Sequence, residues 1–492
     1  MSSSEVQASE RRSSASAMRY IPWLALSLMT VGSVSSLRNA PTMAMYGLSA
    51  VFLYVVPGIL FLIPTALVSA ELASGWSGGV YRWVYEGVSP NMGLVAAWNQ
   101  FGMTIFYYPT LLSYVASTLA FVFNPDLASS GAYTCIIIIV VYWAGVFVSL
   151  RGGIGVVAKL ASSGLIIGTL IPGALLVVLG VVFLTQGHSS AAPMDASHIL
   201  PPWTGLASLV LIMSTFGAYS GMEMNAVHVG ELRKPASEFP KAMFVAVGLV
   251  LVILILPPLA ISWVVPAQQL SLTAGVMQAF QAIFANFGLS WLTPVMGICI
   301  VSASLAGFLT WLAGPSKGLL LIGREEGFLP PFFQRTNAVG VQENILVVQG
   351  LVTTVIALMF VLIPAVSSAY WIFMTISTQA YLIVYFLMFI AAVRLRKSQW
   401  DHPRGYRAPL LTTMCVVGFA SSAAAFLIGF IPPSQFGQGS PAAYAAMILV
   451  GILAIGVVIP WLLIHFRKPS WKQASAADAS AADASAASKE AS

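Results

Sequence analysis

Long apolar runs separated by short polar ones fill the chain from residue 20 to residue 465. A helix needs about 20 apolar residues to cross a bilayer, and about twelve stretches meet that length. They cover roughly 20–46, 48–72, 92–121, 131–150, 158–185, 203–229, 240–264, 290–322, 343–363, 370–393, 409–430 and 441–465, and are numbered spans 1 to 12. The pattern predicts an all-α polytopic membrane protein. Span 8 is longer than a bilayer requires, so it tilts or continues past the membrane as a helix. The segment 274–288, AGVMQAFQAIFANFG, has a one-sided apolar pattern and is expected to lie on the outer surface.

Composition agrees with that pattern. The chain is 58% hydrophobic and 8% charged, whereas an ordinary soluble domain is about 25% charged. Lipid can face such a surface and water cannot. Polar tails flank the apolar domain of 20–465. Residues 1–19 precede span 1 with no small-residue cleavage site, which reads as a cytosolic tail and not a secretory signal. Residues 466–492 carry the repeat ASAADASAADASAAS, which lacks large apolar residues, and are expected to be disordered. Cys135, Cys299 and Cys415 each stand alone in an apolar run, with no metal or redox spacing, and read as core filler. No cofactor is expected, and no phosphate loop appears that would support drive by ATP.

The net charge of +6 would raise the question of nucleic acid, but the charges are scattered in alternate loops. Arg11, Arg12 and Arg19 precede span 1; Arg82 lies between spans 2 and 3; Arg151 and Lys159 flank a loop between spans 4 and 5. Arg233, Lys234 and Lys241 follow span 6, Arg324 and Arg335 follow span 8, and Arg394, Arg396, Lys397, Arg404 and Arg407 follow span 10. The loops near 122–130, 186–202, 265–289, 364–369 and 431–440 contain no Lys or Arg. The positive-inside rule then places both termini in the cytosol of a cell with this chain in its cytoplasmic membrane. No surface remains for nucleic acid.

Two spans are interrupted by small residues. Span 1 reads MTVGSVSSLRNAP, with Gly32, Ser33, Val34, Ser35 and Ser36 together; span 6 reads MSTFGAYSGMEMN, with Ser214, Thr215, Phe216, Gly217, Ser220 and Gly221. Close helix packing through small residues is the simpler explanation for either alone. Their places sharpen the reading. Span 6 follows span 1 by five, an odd number that inverts topology, so about 20–185 and 203–396 form candidate inverted repeats, with 409–465 as two extra helices. Interrupted spans at matching places in two halves point to a transporter site. Free N–H groups at one half-helix suit a carboxylate, and free C=O groups at another suit an ammonium, which together match an amino acid.

Charges at bilayer depth are expensive and are functional candidates. Glu71 ends span 2, where a local cap explains it as well as a role does. Glu223 lies about 10 Å from the inner end of span 6, and Arg38 about 12 Å from the outer end of span 1, at 1.5 Å per residue. Arg38 is on the side that the positive-inside rule disfavours. A direct Arg38–Glu223 ion pair is the structural alternative to a substrate between them. Phe216 and Tyr219 are candidates for covering the substrate, with ordinary core packing as the alternative. Tyr107 and Tyr108, before Pro109, are candidates for lining the same cavity. His228 reads as a polar residue near the end of span 6.

The run GMEMNAVHVGELRKPASEFPKAM resembles the sixth-helix signature of the amino acid–polyamine–organocation superfamily, with Gly221, Glu223, Pro235 and Pro240 matching. AELASGWSGGVYRWV resembles its loop after helix 2 through Glu71, Gly78, Gly79 and Tyr81. AGPSKGLLLIGREEGFLPPFF resembles its helix 8 exit through Gly314, Pro315, Glu326, Gly327 and Pro330. MTVGSVSSLRNAPTMAMYGLS and LIPTALVSAELASGW are similar to the bacterial glutamate/GABA antiporter group. The resemblance implies a LeuT-type core of ten helices plus two, a substrate between the breaks of helices 1 and 6, and alternating access by exchange or proton coupling. The chain departs from the pattern at Val34-Ser35-Ser36, where the superfamily has Gly-Ser-Gly, and at Arg38, where the group has an aromatic or apolar residue.

The reading is therefore an amino acid exchanger and not an enzyme. Backbone near Ser33–Ser36 is expected to hold the substrate carboxylate, and backbone near Ser214–Phe216 its ammonium. Arg38 is expected to meet an acidic side chain or gate the outer side, and Glu223 to accept a proton or couple the half-cycles. A proton-coupled symporter shares the fold, and a non-transporting sensor usually needs a larger soluble output domain than these tails supply. A membrane-impermeant thiol reagent added to intact cells should label a cysteine introduced in 186–202 and spare Gln399→Cys. Labelling at position 399 from outside would reverse the orientation.

Overall fold

The computed structural model describes residues 20–473 apart from Ser77, Pro364 and 435–439; the described side chains also exclude those of Ser33, 153–165, Ala226, Val227, Gly230, Glu231 and Ala236. The expected tails 1–19 and 474–492 lie outside the described residues. Among the described residues every regular element is helical. Eleven helices among the described residues, not the expected twelve, are long and apolar enough to cross a membrane. They coincide with spans 2 to 12. Span 1 is interrupted, and its Trp23–Gly32 stretch is too short to qualify. The chain is a multi-pass α-helical membrane protein.

Burial sorts the spans. In span 3 (Pro90–Phe123) and span 10 (Val366–Ser398), 78% and 72% of the most apolar stretch is buried inside the protein. In span 11 (Leu411–Ile428) and span 12 (Pro441–His465) the share is 28% each. Spans 3 and 10 are therefore central pillars, while spans 11 and 12 present Val416, Leu427, Val450 and Trp461 outward to what a bilayer would supply as lipid. With no water in that layer, polar side chains must find partners inside the protein. Thr30 Oγ1 donates to the carbonyl of Leu26 in its own helix at 2.9 Å. Others tie spans together: Gln349 Nε2 donates to Thr104 Oγ1 at 2.7 Å, and Gln379 Nε2 to the Phe426 carbonyl at 2.8 Å.

Two local expectations are corrected. The loop expected between residues 150 and 158 is helical, within a helix from Gly131 to Leu165; its run of small and apolar residues contains no proline to end it. As expected, the 274–288 segment forms an amphipathic helix, Gly275–Asn286, whose Val276, Met277, Phe280, Ile283 and Phe284 pack into an apolar cluster. Only its other side remains open. Residues 466–473 of the expected disordered tail are held by specific contacts. Arg467 Nε donates to the Glu326 carbonyl at 2.9 Å, Gln334 Nε2 to the Trp471 carbonyl at 2.8 Å, and Gln473 N to the Arg324 carbonyl at 2.9 Å. Span 8 is a single helix, Leu292–Glu326, and this segment is moored to its end.

On the face that gathers the arginines, Glu71 at the end of span 2 is 1% exposed. Arg396 Nε and Arg404 Nη1 donate to its Oε1, each at 2.7 Å, and the Ala408 N–H donates to Oε2 at 2.7 Å. Arg396 Nη2 also donates to Oε2. The carboxylate thus fastens span 2 to the end of span 10 and to the loop after it. Trp76 reinforces the joint: its ring stacks on His402, with centroids 4.7 Å apart, and its Nε1 donates to Gln399 Oε1 at 3.1 Å. Glu71 is a structural clamp.

Breaking a buried ion pair from one side costs about 3–5 kcal/mol. Glu71→Gln should lower the melting temperature of the detergent-solubilised protein by several degrees. Glu86→Gln, which loses only the more exposed Arg82–Glu86 pair, should leave stability within about 0.5 kcal/mol of the parent and the melting temperature nearly unchanged. Equal melting of Glu71→Gln and wild type would show that the clamp contributes nothing.

Candidate functional site

The interruption of span 1 falls at Ser35 and Ser36. The helix Trp23–Val34 stops there, both residues are extended (φ −79°, ψ 116° and φ −145°, ψ 137°), and the chain resumes as a short 3-10 turn, Leu37–Asn39. Ser36 Oγ accepts from the Arg38 N–H, which fastens the new start. Span 6 breaks at Ser220 and Gly221, not at Ser214–Phe216. Met213–Tyr219 is helical, Ser220 is extended, and Gly221 has φ +104°. That left-handed conformation is one that glycine adopts without steric cost. The Gly221 N–H points out of the helix and donates to the Tyr385 hydroxyl at 2.9 Å. Gly217 and Ala218 lie in the last turn before the break, where helix geometry leaves carbonyls without intrahelical partners.

Between the breaks lies a cavity of about 60 Å³, room for the centres of several waters. Val34, Ser36, Arg38 and Asn39 of span 1 form one wall, and Gly217, Ala218 and Ser220 of span 6 another. Span 3 adds Tyr107 and Thr110, span 8 adds Trp311, and span 10 adds Ser377, Thr378 and Tyr381. Gly217 permits the close approach of spans 6 and 10, since a Cβ there would come within 2.7 Å of Thr378 Oγ1.

Arg38 dominates the chemistry of this cavity. It is 6% exposed. Its Nη1 donates to Thr110 Oγ1 at 2.8 Å, and its guanidinium carbon lies 4.7 Å from the centre of the Tyr107 ring. Its Nε is buried with no hydrogen-bond partner. Among the described residues no carboxylate pairs with it.

Glu223 does not meet Arg38, so the expected alternative of a direct ion pair is not formed. Tyr381 donates to Glu223 Oε1 at 2.5 Å and Tyr385 to Oε2 at 2.7 Å. Glu223 instead lines a second, larger cavity of about 550 Å³, with Gly78, Tyr81 and Arg82 after span 2, Gln100 of span 3, and Gly314 and Glu325 of span 8. This second cavity lies on the arginine-rich face. Tyr381 joins the two: it lines the first cavity, bonds Glu223 of the second, and accepts from Gln100 Nε2 at 3.4 Å.

The expected site residues divide accordingly. Val34, Ser36, Arg38, Gly217 and Tyr107 line the central cavity. Gly32 lies within the helix before the break, and the side chain of Ser33 lies outside the description. Ser35 sits at the break with its hydroxyl buried and unpaired. Ser214, Thr215, Phe216 and Tyr219 are away from the cavity wall. Thr215 Oγ1 is 3.5 Å from the Met43 sulfur. Phe216 packs on Phe61, with centroids 5.0 Å apart, and Tyr219 donates to the Tyr54 carbonyl at 2.7 Å. Both aromatics are core packing and do not cover the cavity. Tyr108 likewise donates to the Trp311 carbonyl at 2.9 Å. Sequence reasoning missed Thr110, Trp311, Ser377, Thr378, Tyr381 and Tyr385. The spacing of Ser377, Thr378, Tyr381 and Tyr385 on one face of span 10 was the readable signal.

A multi-pass helical protein with a polar cavity between two broken helices, and a second cavity opening behind it, has the build of a small-molecule transporter. The chain belongs to the amino acid permease family, whose model matches residues 21–453, within the amino acid–polyamine–organocation superfamily. It is thus an amino acid transporter and not an enzyme. It is 36% identical over 447 residues to an uncharacterized transporter of Legionella pneumophila, covering 89% of this chain and 95% of that one. It is 26% identical over 446 residues to a glutamate/gamma-aminobutyrate antiporter of Lactococcus lactis, covering 88% of each. A probable agmatine/putrescine antiporter of the same species is 23% identical over 379 residues, covering 75% of this chain and 78% of that one.

Proposed function

We propose that this chain exchanges amino acids across the cytoplasmic membrane, and that one of its substrates is an acidic amino acid such as glutamate. The observation that carries this reading is Arg38, a buried guanidinium on the cavity wall with a free N–H and no carboxylate partner among the described residues. The names of the relatives range from glutamate to agmatine and putrescine, so the substrate has to be argued from this chain's own residues. A cationic amine would meet a like charge at Arg38. A carboxylate would receive the fork of donors that guanidinium offers.

In this reading the substrate's amino-acid end lies across the two breaks. The span 1 break near Ser36 offers N–H groups to the α-carboxylate, and the last carbonyls of span 6, at Gly217 and Ala218, face the ammonium. Arg38 takes the side-chain carboxylate. Tyr381 and Glu223 form the partition toward the second cavity, which faces the cytosol if the basic loops are cytosolic. Glu223 follows the half-cycles by releasing Tyr381 as that partition opens.

A charged hydrogen bond is worth about 1.5–3 kcal/mol, roughly a ten- to hundredfold change in affinity. In proteoliposomes, Arg38→Ala should raise the concentration of unlabelled glutamate or aspartate needed to compete by about that factor, while competition by neutral amino acids changes little. Arg38→Lys should recover little of the loss, because a point charge does not reproduce the fork. An equal fall for acidic and neutral competitors would make Arg38 a gate and not a reader of substrate charge.

A further inference from the structure

The two buried carboxylates of the described spans, Glu71 and Glu223, are committed away from Arg38. Glu71 is held by Arg396, Arg404 and the Ala408 N–H, and Glu223 by Tyr381 and Tyr385. The groups that do face Arg38 are neutral: the Thr110 hydroxyl, whose own proton is donated to the Tyr107 carbonyl at 2.7 Å, and the phenols of Tyr107, Tyr114 and Tyr370. One hydrogen bond and one aromatic face offset only part of the cost of taking a guanidinium out of water. The arginine cannot escape that cost by losing its proton.

Resting on the reading of Arg38 as the substrate's carboxylate contact, we infer that Arg38 also enforces exchange by penalising the return of the unloaded carrier. Any alternating-access cycle passes through a conformation in which the site is closed to both sides. With a carboxylate bound, the guanidinium crosses that conformation as a paired ion. Without one it crosses dehydrated and uncompensated. The loaded carrier therefore reorients readily in both directions, and the unloaded carrier does so rarely. Coupling of uptake to release then follows from one unpaired charge, with no second ion required.

The charge and the fork of Arg38 do different things here, and substitutions separate them. Glutamine removes the charge. Lysine keeps a charge that a buried amine can shed. The surrounding phenols ordinarily titrate near 10, so between about pH 5 and 8 only an introduced lysine would titrate among the groups facing the site.

The test is efflux of preloaded radiolabelled glutamate from proteoliposomes holding the full chain, with and without external unlabelled glutamate. Wild type should release label at least about ten times faster with external substrate, as a penalty of about 1.4 kcal/mol implies, and that ratio should not vary with pH. In Arg38→Gln the ratio should fall toward one even if both rates are low. In Arg38→Lys it should stay high at pH 5 and fall as the pH rises. Wild-type net efflux as fast as exchange would overturn the inference while leaving acidic amino acid transport standing. So would an unchanged ratio in Arg38→Gln. If Arg38→Gln moves no label, a pH-independent ratio in Arg38→Lys would overturn it. Wild type that moves no acidic amino acid in either mode would remove the proposed function and the inference together.

Discussion

A guanidinium inside the membrane-spanning core without a carboxylate beside it is the constraint around which the central cavity is organised. Charged groups at that depth are costly unless they are paired or solvated. Arg38 is held in place by the break that precedes it, by Thr110 and by the face of Tyr107. None of these neutralises it. The fold thus maintains a fixed positive site at the meeting point of spans 1, 3, 6 and 10, where an anionic group is the natural complement.

The three charged residues buried among the described residues meet three different fates. Glu71 is saturated by two arginines and a backbone N–H, and serves to join spans 2 and 10. Glu223 is held by two tyrosine hydroxyls and looks into the larger cavity. Arg38 alone keeps an unused donor. Burial alone would rank them together, since all are nearly inaccessible. Their partners separate clamp, partition and candidate binding group. The partition also explains why a tyrosine from span 10 matters: Tyr381 lines the central cavity and hydrogen-bonds Glu223 on the wall of the larger one.

Much of this was legible in the sequence, and the rest was not for identifiable reasons. Spans 2 to 12 follow from runs of apolar residues, and Arg38 stood out because it lies on the side with few basic residues. The break of span 1 falls within the small-residue cluster that predicted it. In span 6 the cluster runs from Ser214 to Gly221 and offers several places to open. Only the backbone at Gly221, with φ +104°, fixes where, which moves the free carbonyls from Ser214–Phe216 to Gly217 and beyond. Phe216 and Tyr219 follow the same helical face rule as any aromatic, and sequence alone does not say whether that face meets a cavity or a neighbouring helix. Thr110 and Trp311 join the site through packing between distant spans, which no local pattern encodes. The ordered segment up to Gln473 depends on contacts with the end of span 8, again a long-range match.

Glutamate and glutamine have nearly the same shape and differ in whether the side chain carries a negative charge. Equilibrium binding of each to the purified wild-type protein therefore isolates the contribution of Arg38 without altering the protein. A charged hydrogen bond of about 1.5–3 kcal/mol predicts that glutamate binds roughly ten- to hundredfold more tightly than glutamine, with the difference shrinking in Arg38→Ala. Equal affinities for the two in the wild type would contradict the account.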